Sequence, residues 1–114
     1  MIVVQNRIFV AKGYEDEFEK RFINRDWSVS RLPGFVRNEV LKPSKDFPDA
    51  PYIVKTYWAT MEDFERWTKS KEFGMAHANA PPKEAFRAGN SLEIHEILAV
   101  HEKPASAPKG EGTR

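Results

Sequence analysis

The opening stretch, Ile2-Val3-Val4-Gln5-Asn6-Arg7-Ile8-Phe9-Val10-Ala11-Lys12-Gly13-Tyr14-Glu15-Asp16-Glu17-Phe18-Glu19-Lys20-Arg21-Phe22, changes its period at Gly13. Before the glycine, Ile2, Val4, Asn6, Ile8 and Val10 alternate with Val3, Gln5, Arg7 and Phe9. A period of two predicts a strand over 2–11 whose faces meet different surroundings. After the glycine, Tyr14, Phe18 and Phe22 recur every fourth residue among charged side chains. That spacing predicts an amphipathic helix, with Glu15, Asp16 and Glu17 placed to complement the positive end of its dipole.

Outward from this unit, Pro33-Gly34 marks a turn into a second strand, Phe35 to Lys42. A Pro-, Asp- and Ser-rich loop, Pro43 to Pro51, leads to a third strand at Tyr52 to Ala59, whose Val, Thr, Tyr and Trp suit a sheet. Thr60, with Asp63 three residues on, offers a helix N-cap, and Ser70 offers a second. The second helix is therefore expected in two pieces, 61–69 and 71–79, stopped by Ala80-Pro81-Pro82. Residues 80–91 show no clear period, and Leu92 to His101 reads as the last strand. The order is β-α-β-β-α-β, an α+β ferredoxin-like arrangement with a split second helix and a four-stranded antiparallel sheet.

The 114 residues allow one domain, expected over 1–102. The end of the chain, KPASAPKGEGTR over 103–114, has nothing to bury and the composition of a disordered tail. Eighteen basic against seventeen acidic side chains leave +1, which argues against a nucleic-acid or anionic-membrane partner. No apolar run approaches the ~18–20 residues of a membrane span, and the first residues lack signal-peptide character, so the default location is cytoplasmic. Without cysteine, disulfides, thiolate metal sites and thiol nucleophiles are excluded. Any metal needs imidazole or carboxylate.

Both helices of such a fold cover one sheet face. The other still carries apolar residues: Val3 and Phe9 oppose Ile2 and Ile8, and Ile94 and Leu98 oppose Ile97 and Ala99. A homodimer, with two sheets facing each other as a barrel, would cover them.

Three places could carry chemistry. His77 stands in Phe73-Gly74-Met75-Ala76-His77-Ala78-Asn79, where small neighbours leave room for a planar ligand. It serves either as a helix-terminal His on the last carbonyls or as a neutral imidazole ligand for haem iron. Asn6 interrupts an apolar series, and its amide must find partners or cost ~1–3 kcal/mol. It is either satisfied by neighbouring backbone or projects a donor into a cavity. Trp67, three residues after Phe64, is either core or a pocket wall. His95 and His101 read as solvated or interface residues.

Asn6, the segment Phe64-Glu65-Arg66-Trp67-Thr68-Lys69-Ser70 and Ala76-His77-Ala78 together resemble the IsdG-type haem-degrading monooxygenases, including the MhuD-like branch. Glu19-Lys20-Arg21-Phe22, Arg25, Pro33-Gly34-Phe35 and Gly89-Asn90-Ser91-Leu92 extend the resemblance over most of 1–101. The resemblance implies haem as both cofactor and substrate, O2 as co-substrate and a homodimer with one haem in each subunit. His77 would be the proximal iron ligand, Asn6 a distal hydrogen-bond donor, and Trp67 the side chain that crowds the porphyrin out of plane. Phe22 and Arg25 would line the pocket. Electrons would come from an external donor through an unidentified reductase, since no flavin- or nicotinamide-binding loop is recognisable. Lys69, Lys71, Lys83 and Arg87 against Glu72 and Glu84 leave a local +2 that could receive propionates. Iron acquisition from haem is the implied role. Competing readings are a cofactor-free monooxygenase of the antibiotic-biosynthesis type, a haem-binding protein without turnover, and a barrel without ligand.

Overall fold

The computed structural model describes residues 1–25, 28–77 and 81–105. Four strands, β1 (Ile2–Ile8), β2 (Phe35–Leu41), β3 (Tyr52–Trp58) and β4 (Ser91–Glu96), form one antiparallel sheet in the order β2-β3-β1-β4. Three helices accompany them: α1 (Glu15–Ile23), α2 (Met61–Thr68) and α3 (Lys71–Ala76). The ferredoxin-like order with a split second helix is the expected one. Residues 78–79, expected to continue α3, and 106–114 of the expected tail lie outside the described residues.

The periodicity located the strands but not their ends. β1 stops at Ile8, short of the expected Ala11, because its partner on β3 runs out there: Ile8 faces Tyr52, and Pro51 before it has no N–H to give. Beyond Ile8, only an isolated bridge between Val10 and Phe86 continues the pairing. The Ala11 N–H reaches the Ala85 carbonyl at 2.7 Å, and the Arg87 N–H reaches that of Phe9 at 2.9 Å. The segment without a period is thus sewn to the end of β1. β4 likewise ends at Glu96 and not at His101. It lies at the sheet edge, β1 begins at Ile2, and the Ile97 N–H on the Met1 carbonyl at 3.1 Å is the final rung. Leu98, expected inside the strand, is 99% exposed.

The helix side of the sheet holds two apolar clusters rather than one. Ile2, Val4, Trp58 and Phe64 of α2 form the first with Val29, which lies in a one-turn 3-10 helix at Ser28–Arg31. Ile8, Val10, Phe18 of α1 and Tyr52 form the second. Asn6 lies between them in the same alternating series, half-buried where its neighbours Val4 and Ile8 are buried. The amide interrupts what would otherwise be one continuous core.

The opposite face is mixed. Val3 with Tyr57 and Leu41 with Ile53 are apolar pairs there, interspersed with Gln5 opposite Lys55, Arg7 opposite Ile53, Arg37 opposite Tyr57 and Glu39 opposite Lys55. Glu39 is ion-paired by Arg37, accepts the Tyr57 hydroxyl at 3.1 Å and has Lys55 Nζ at 3.9 Å. Ile94 pairs with Val4 and lies on the helix side.

Gly34 joins β2 to the start of α2. Its φ of 82° is left-handed, its carbonyl accepts the Ala59 N–H at 2.8 Å, and a Cβ there would overlap the Asp63 side chain at 2.1–2.5 Å. Asp63 cannot easily withdraw, because its carboxylate accepts from Thr60 Oγ1 and from Arg66, each at 2.8 Å, while its own N–H caps onto Thr60 Oγ1 at 3.1 Å. Gly34→Ala is therefore expected to cost about 2 kcal/mol or more, read from urea melts, since strain and overlap add. A loss below about 0.5 kcal/mol would contradict this placement.

Glu19 of α1 accepts the Tyr52 hydroxyl at 2.5 Å and pairs with Lys42 at 3.4 Å. The tyrosine hydrogen bond, and then Lys42, hold the Glu19 carboxyl below the usual range, against a burial effect of opposite sign. Burial, and then the carboxylate beside it, push the Tyr52 phenol up. The stabilisation from Glu19 is present above the unfolded carboxylate pKa of ~4.3 and fades as pH falls. That from Tyr52 is present below ~10 and fades as pH rises. Melting temperature is expected to fall at both extremes, and Tyr52→Phe should flatten the alkaline fall. An unchanged alkaline fall in that variant would dissociate it from Tyr52.

Candidate functional site

Two short helices meet at a bend, and the bend builds the site. Thr60 caps α2 by accepting the Asp63 N–H, and Ser70 caps α3 by accepting the Phe73 N–H at 3.2 Å, as the sequence suggested. α2 presents Trp67 at its end; α3 presents Phe73 and, at its C-cap, His77. α3 packs on α2 and on the 28–31 turn.

These rings form one aromatic group. Trp67 stacks on the fully buried Trp58 at 5.6 Å and 28°. Its other neighbours are Phe73, edge-on at 4.8 Å, and Phe64 and His77, each at 6.1 Å. Phe73 lies 4.2 Å from the imidazole. The Trp67 indole Nε1 is buried with no hydrogen-bond partner among the described residues. Trp67 is thus both core and wall, one face fixed on Trp58 and the rest turned toward the histidine.

His77 Nδ1 lies 2.7 Å from the Phe73 carbonyl oxygen. A carbonyl only accepts, so Nδ1 carries the proton. In the neutral ring Nε2 is then the lone-pair nitrogen, as in histidines that bind metal. His77 is exposed, which leaves Nε2 accessible. The helix-terminal role and the ligand role weighed for this residue are therefore compatible: one bond satisfies a terminal carbonyl and prepares the ring. Phe73 was missed as a site residue, although its i,i+4 spacing to His77 was a readable signal.

The other candidates stand apart from this group. The Arg25 guanidinium lies 5.0 Å above the Phe22 ring, and burial lowers its pKa from the ordinary value. Phe22 packs on the second core cluster and lines a cavity of about 240 Å³ between α1 and the β2–β3 edge. That volume is below the ~300–1,000 Å³ of pockets for larger ligands. Asn6 faces the helix side, and no described contact joins it to Trp67, His77 or Phe22; no group among the described residues hydrogen-bonds its amide. Its cross-strand neighbour Leu92 is 60% exposed and the next residue on that face, Ile94, 40%. The helix side of β4 is therefore an open apolar shelf beside Asn6.

Arg87, one of the cations considered for propionates, is occupied elsewhere. It donates to the Asp49 carbonyl at 2.8 Å and lies 5.1 Å above Phe9. Lys83 is exposed in a second one-turn 3-10 helix, Lys83–Ala85. Among the described residues no three His, Asp or Glu side chains gather as a metal site. No helix among them is long and apolar enough to cross a membrane.

Residues 1–79, from β1 through the His77 C-cap, match the antibiotic biosynthesis monooxygenase family. The chain belongs to that family. Its similarity runs to haem-degrading members, as the sequence resemblance implied. A haem oxygenase (staphylobilin-producing) of Staphylococcus haemolyticus is 42% identical over 79 residues, 69% of this chain and 75% of that protein. A heme-degrading monooxygenase of Bacillus thuringiensis is 30% identical over 107 residues, 94% of this chain and 99% of that one. Among solved structures, the heme-degrader MhuD of Mycobacterium tuberculosis, with two hemes bound in its active site, has a TM-score of 0.73 at 31% identity. The match covers 90% of this chain and 100% of MhuD. SnoaB of Streptomyces nogalater, a cofactor-independent oxygenase, has a TM-score of 0.69 at 22% identity over 90% and 97% of the two chains, and shares the fold.

Proposed function

We propose that this family member is a haem-degrading monooxygenase that takes haem as substrate and cofactor, opens the porphyrin with O2 and external electrons, and releases the iron. The observation that carries the reading is the exposed His77 imidazole held with Nδ1–H on the Phe73 carbonyl, beside an aromatic wall. One imidazole is too few ligands for a bare transition-metal ion. It suits an iron that brings four nitrogens of its own and needs one axial donor. The haem-degrading names of the relatives that span most of the chain point the same way.

Each residue then has a role. His77 binds the iron through Nε2. Trp67, backed by the buried Trp58, would crowd a bound porphyrin and strain it. Asn6, on the floor between the two core clusters, supplies an amide donor, and the exposed Leu92 and Ile94 give apolar contact. Phe22 and Arg25 close the α1 side. The haem supplies the oxygen chemistry, while the protein supplies orientation, distortion and a hydrogen bond. The open face of the sheet pairs with a second copy as a homodimer, and the reductant is a separate protein.

The test is titration with haem, followed by reductant under air. A Soret band that forms and then decays supports turnover. A band that persists identifies a haem-binding protein, and no band removes haem from the account and favours the cofactor-free alternative.

A further inference from the structure

The Ser70 hydroxyl occupies the bend between the two site helices and bonds to both. It donates to the Trp67 carbonyl at 2.6 Å and accepts the Phe73 N–H at 3.2 Å. The backbone repeats the link, with the Ser70 N–H on the same Trp67 carbonyl at 2.9 Å. One turn later the pattern recurs: the Phe73 carbonyl accepts both the His77 N–H, at 3.2 Å, and His77 Nδ1–H, at 2.7 Å. A hydroxyl thus ties the last turn of α2, which carries Trp67, to the first turn of α3, whose Phe73 carbonyl holds the imidazole.

An N-cap needs only an acceptor, since its task is to satisfy a free N–H. Ser70 also acts as donor, toward the helix that ends before it. We infer that Ser70 is a positioning residue for His77: by locking α3 to the end of α2 it fixes the Phe73 carbonyl, and so the Nδ1–H tautomer that leaves Nε2 as ligand. The iron-ligand role of Nε2 rests on the haem reading; the tautomer does not. Phe73 contributes twice, through its carbonyl and through the ring between Trp67 and His77. The Phe73 carbonyl is the group one bond removed from the ligand, where loss changes metal affinity about 10–100-fold, and Ser70 acts on it through the first turn of α3.

The experiment compares full-length wild type, Ser70→Asp, Ser70→Ala and Ser70→Thr by two readouts. The first is the ring-nitrogen NMR spectrum of His77 in haem-free protein at alkaline pH, which reports the tautomer without ligand. The second is haem affinity from Soret titration. Asp keeps the acceptor for the Phe73 N–H but cannot donate to the Trp67 carbonyl, so it separates capping from linking and keeps the test open if Ser70→Ala fails to fold. Wild type is expected in the Nδ1–H form. Ser70→Asp and Ser70→Ala should gain the Nε2–H form and bind haem about tenfold more weakly, with Ser70→Thr restoring both. An unchanged tautomer and affinity in Ser70→Asp would reduce Ser70 to a cap and overturn the inference. A tautomer that shifts in protein showing no Soret band in any variant would uphold the positioning role while removing haem.

Discussion

His77→Ala is expected to lose the Soret band of the haem complex, with affinity falling at least about 100-fold, or roughly 2.7 kcal/mol. The size follows from the lack of a substitute. Among the described residues, no three His, Asp or Glu side chains gather as a metal site, and the chain has no cysteine. His95 lies on the sheet face opposite the helices, since it pairs with Val3, and cannot take over. Stability is expected to change little, because the side chain is exposed and its one bond is to a helix-end carbonyl. Melting temperature therefore separates lost ligation from lost fold. Imidazole added to the buffer should restore part of the band. A full-strength Soret band in the variant would assign the iron to another residue.

Trp58→Ala should be the most damaging core substitution. Trp58 is fully buried, with Phe35 edge-on at 5.6 Å, Phe64 at 6.2 Å and Trp67 stacked at 5.6 Å. Removing an indole from such a site costs about 3–5 kcal/mol, against a total stability of about 5–15 kcal/mol for a small domain. Trp67 would also lose its support, so haem affinity should fall in whatever fraction stays folded. Trp58→Phe should cost much less, about 1–2 kcal/mol, because the indole Nε1 has no partner among the described residues and phenyl leaves no donor unsatisfied. Urea unfolding of the two variants measures both. A Trp58→Ala stability within about 1 kcal/mol of wild type would show that the cluster relaxes around the gap and does not hold Trp67 in place.

The alternation of Ile2 to Ile8, the four-residue spacing of Tyr14, Phe18 and Phe22, and the caps at Thr60 and Ser70 made the element order readable, because each is a local signal. Strand ends were not readable. Val10 and Leu98 continue the hydrophobic pattern, but pairing stops where the neighbouring strand stops, and that is a property of another part of the chain. Val29 was missed for a related reason: one 3-10 turn is too short to show a period, yet Val29 is as buried as Tyr52 of β3. The apolar residues of the outward face were visible in sequence, but the Arg37, Glu39, Lys55 and Tyr57 group among them was not, because it forms only when β2 and β3 come into register.

The site was partly legible. Asn6, Trp67 and His77 were visible as residue types out of place, and the structure joins two of them through Phe73. What could not be read was the direction of the His77 proton, since it depends on a carbonyl four residues earlier being fixed by a helix only six residues long. The division of the core at Asn6 was equally hidden. It requires knowing that α1 covers one end of the sheet and α2 the other, so that a half-buried amide faces the gap.

Degradation of haem by this chain is tested most directly by the iron freed for each haem consumed. Haem-loaded protein is given a reductant under air, with a colorimetric chelator for ferrous iron present and the Soret band followed in the same cuvette. The expected result is about one iron chelated per haem lost, with no loss under nitrogen. A Soret band that survives reductant and air while no iron reaches the chelator would contradict it.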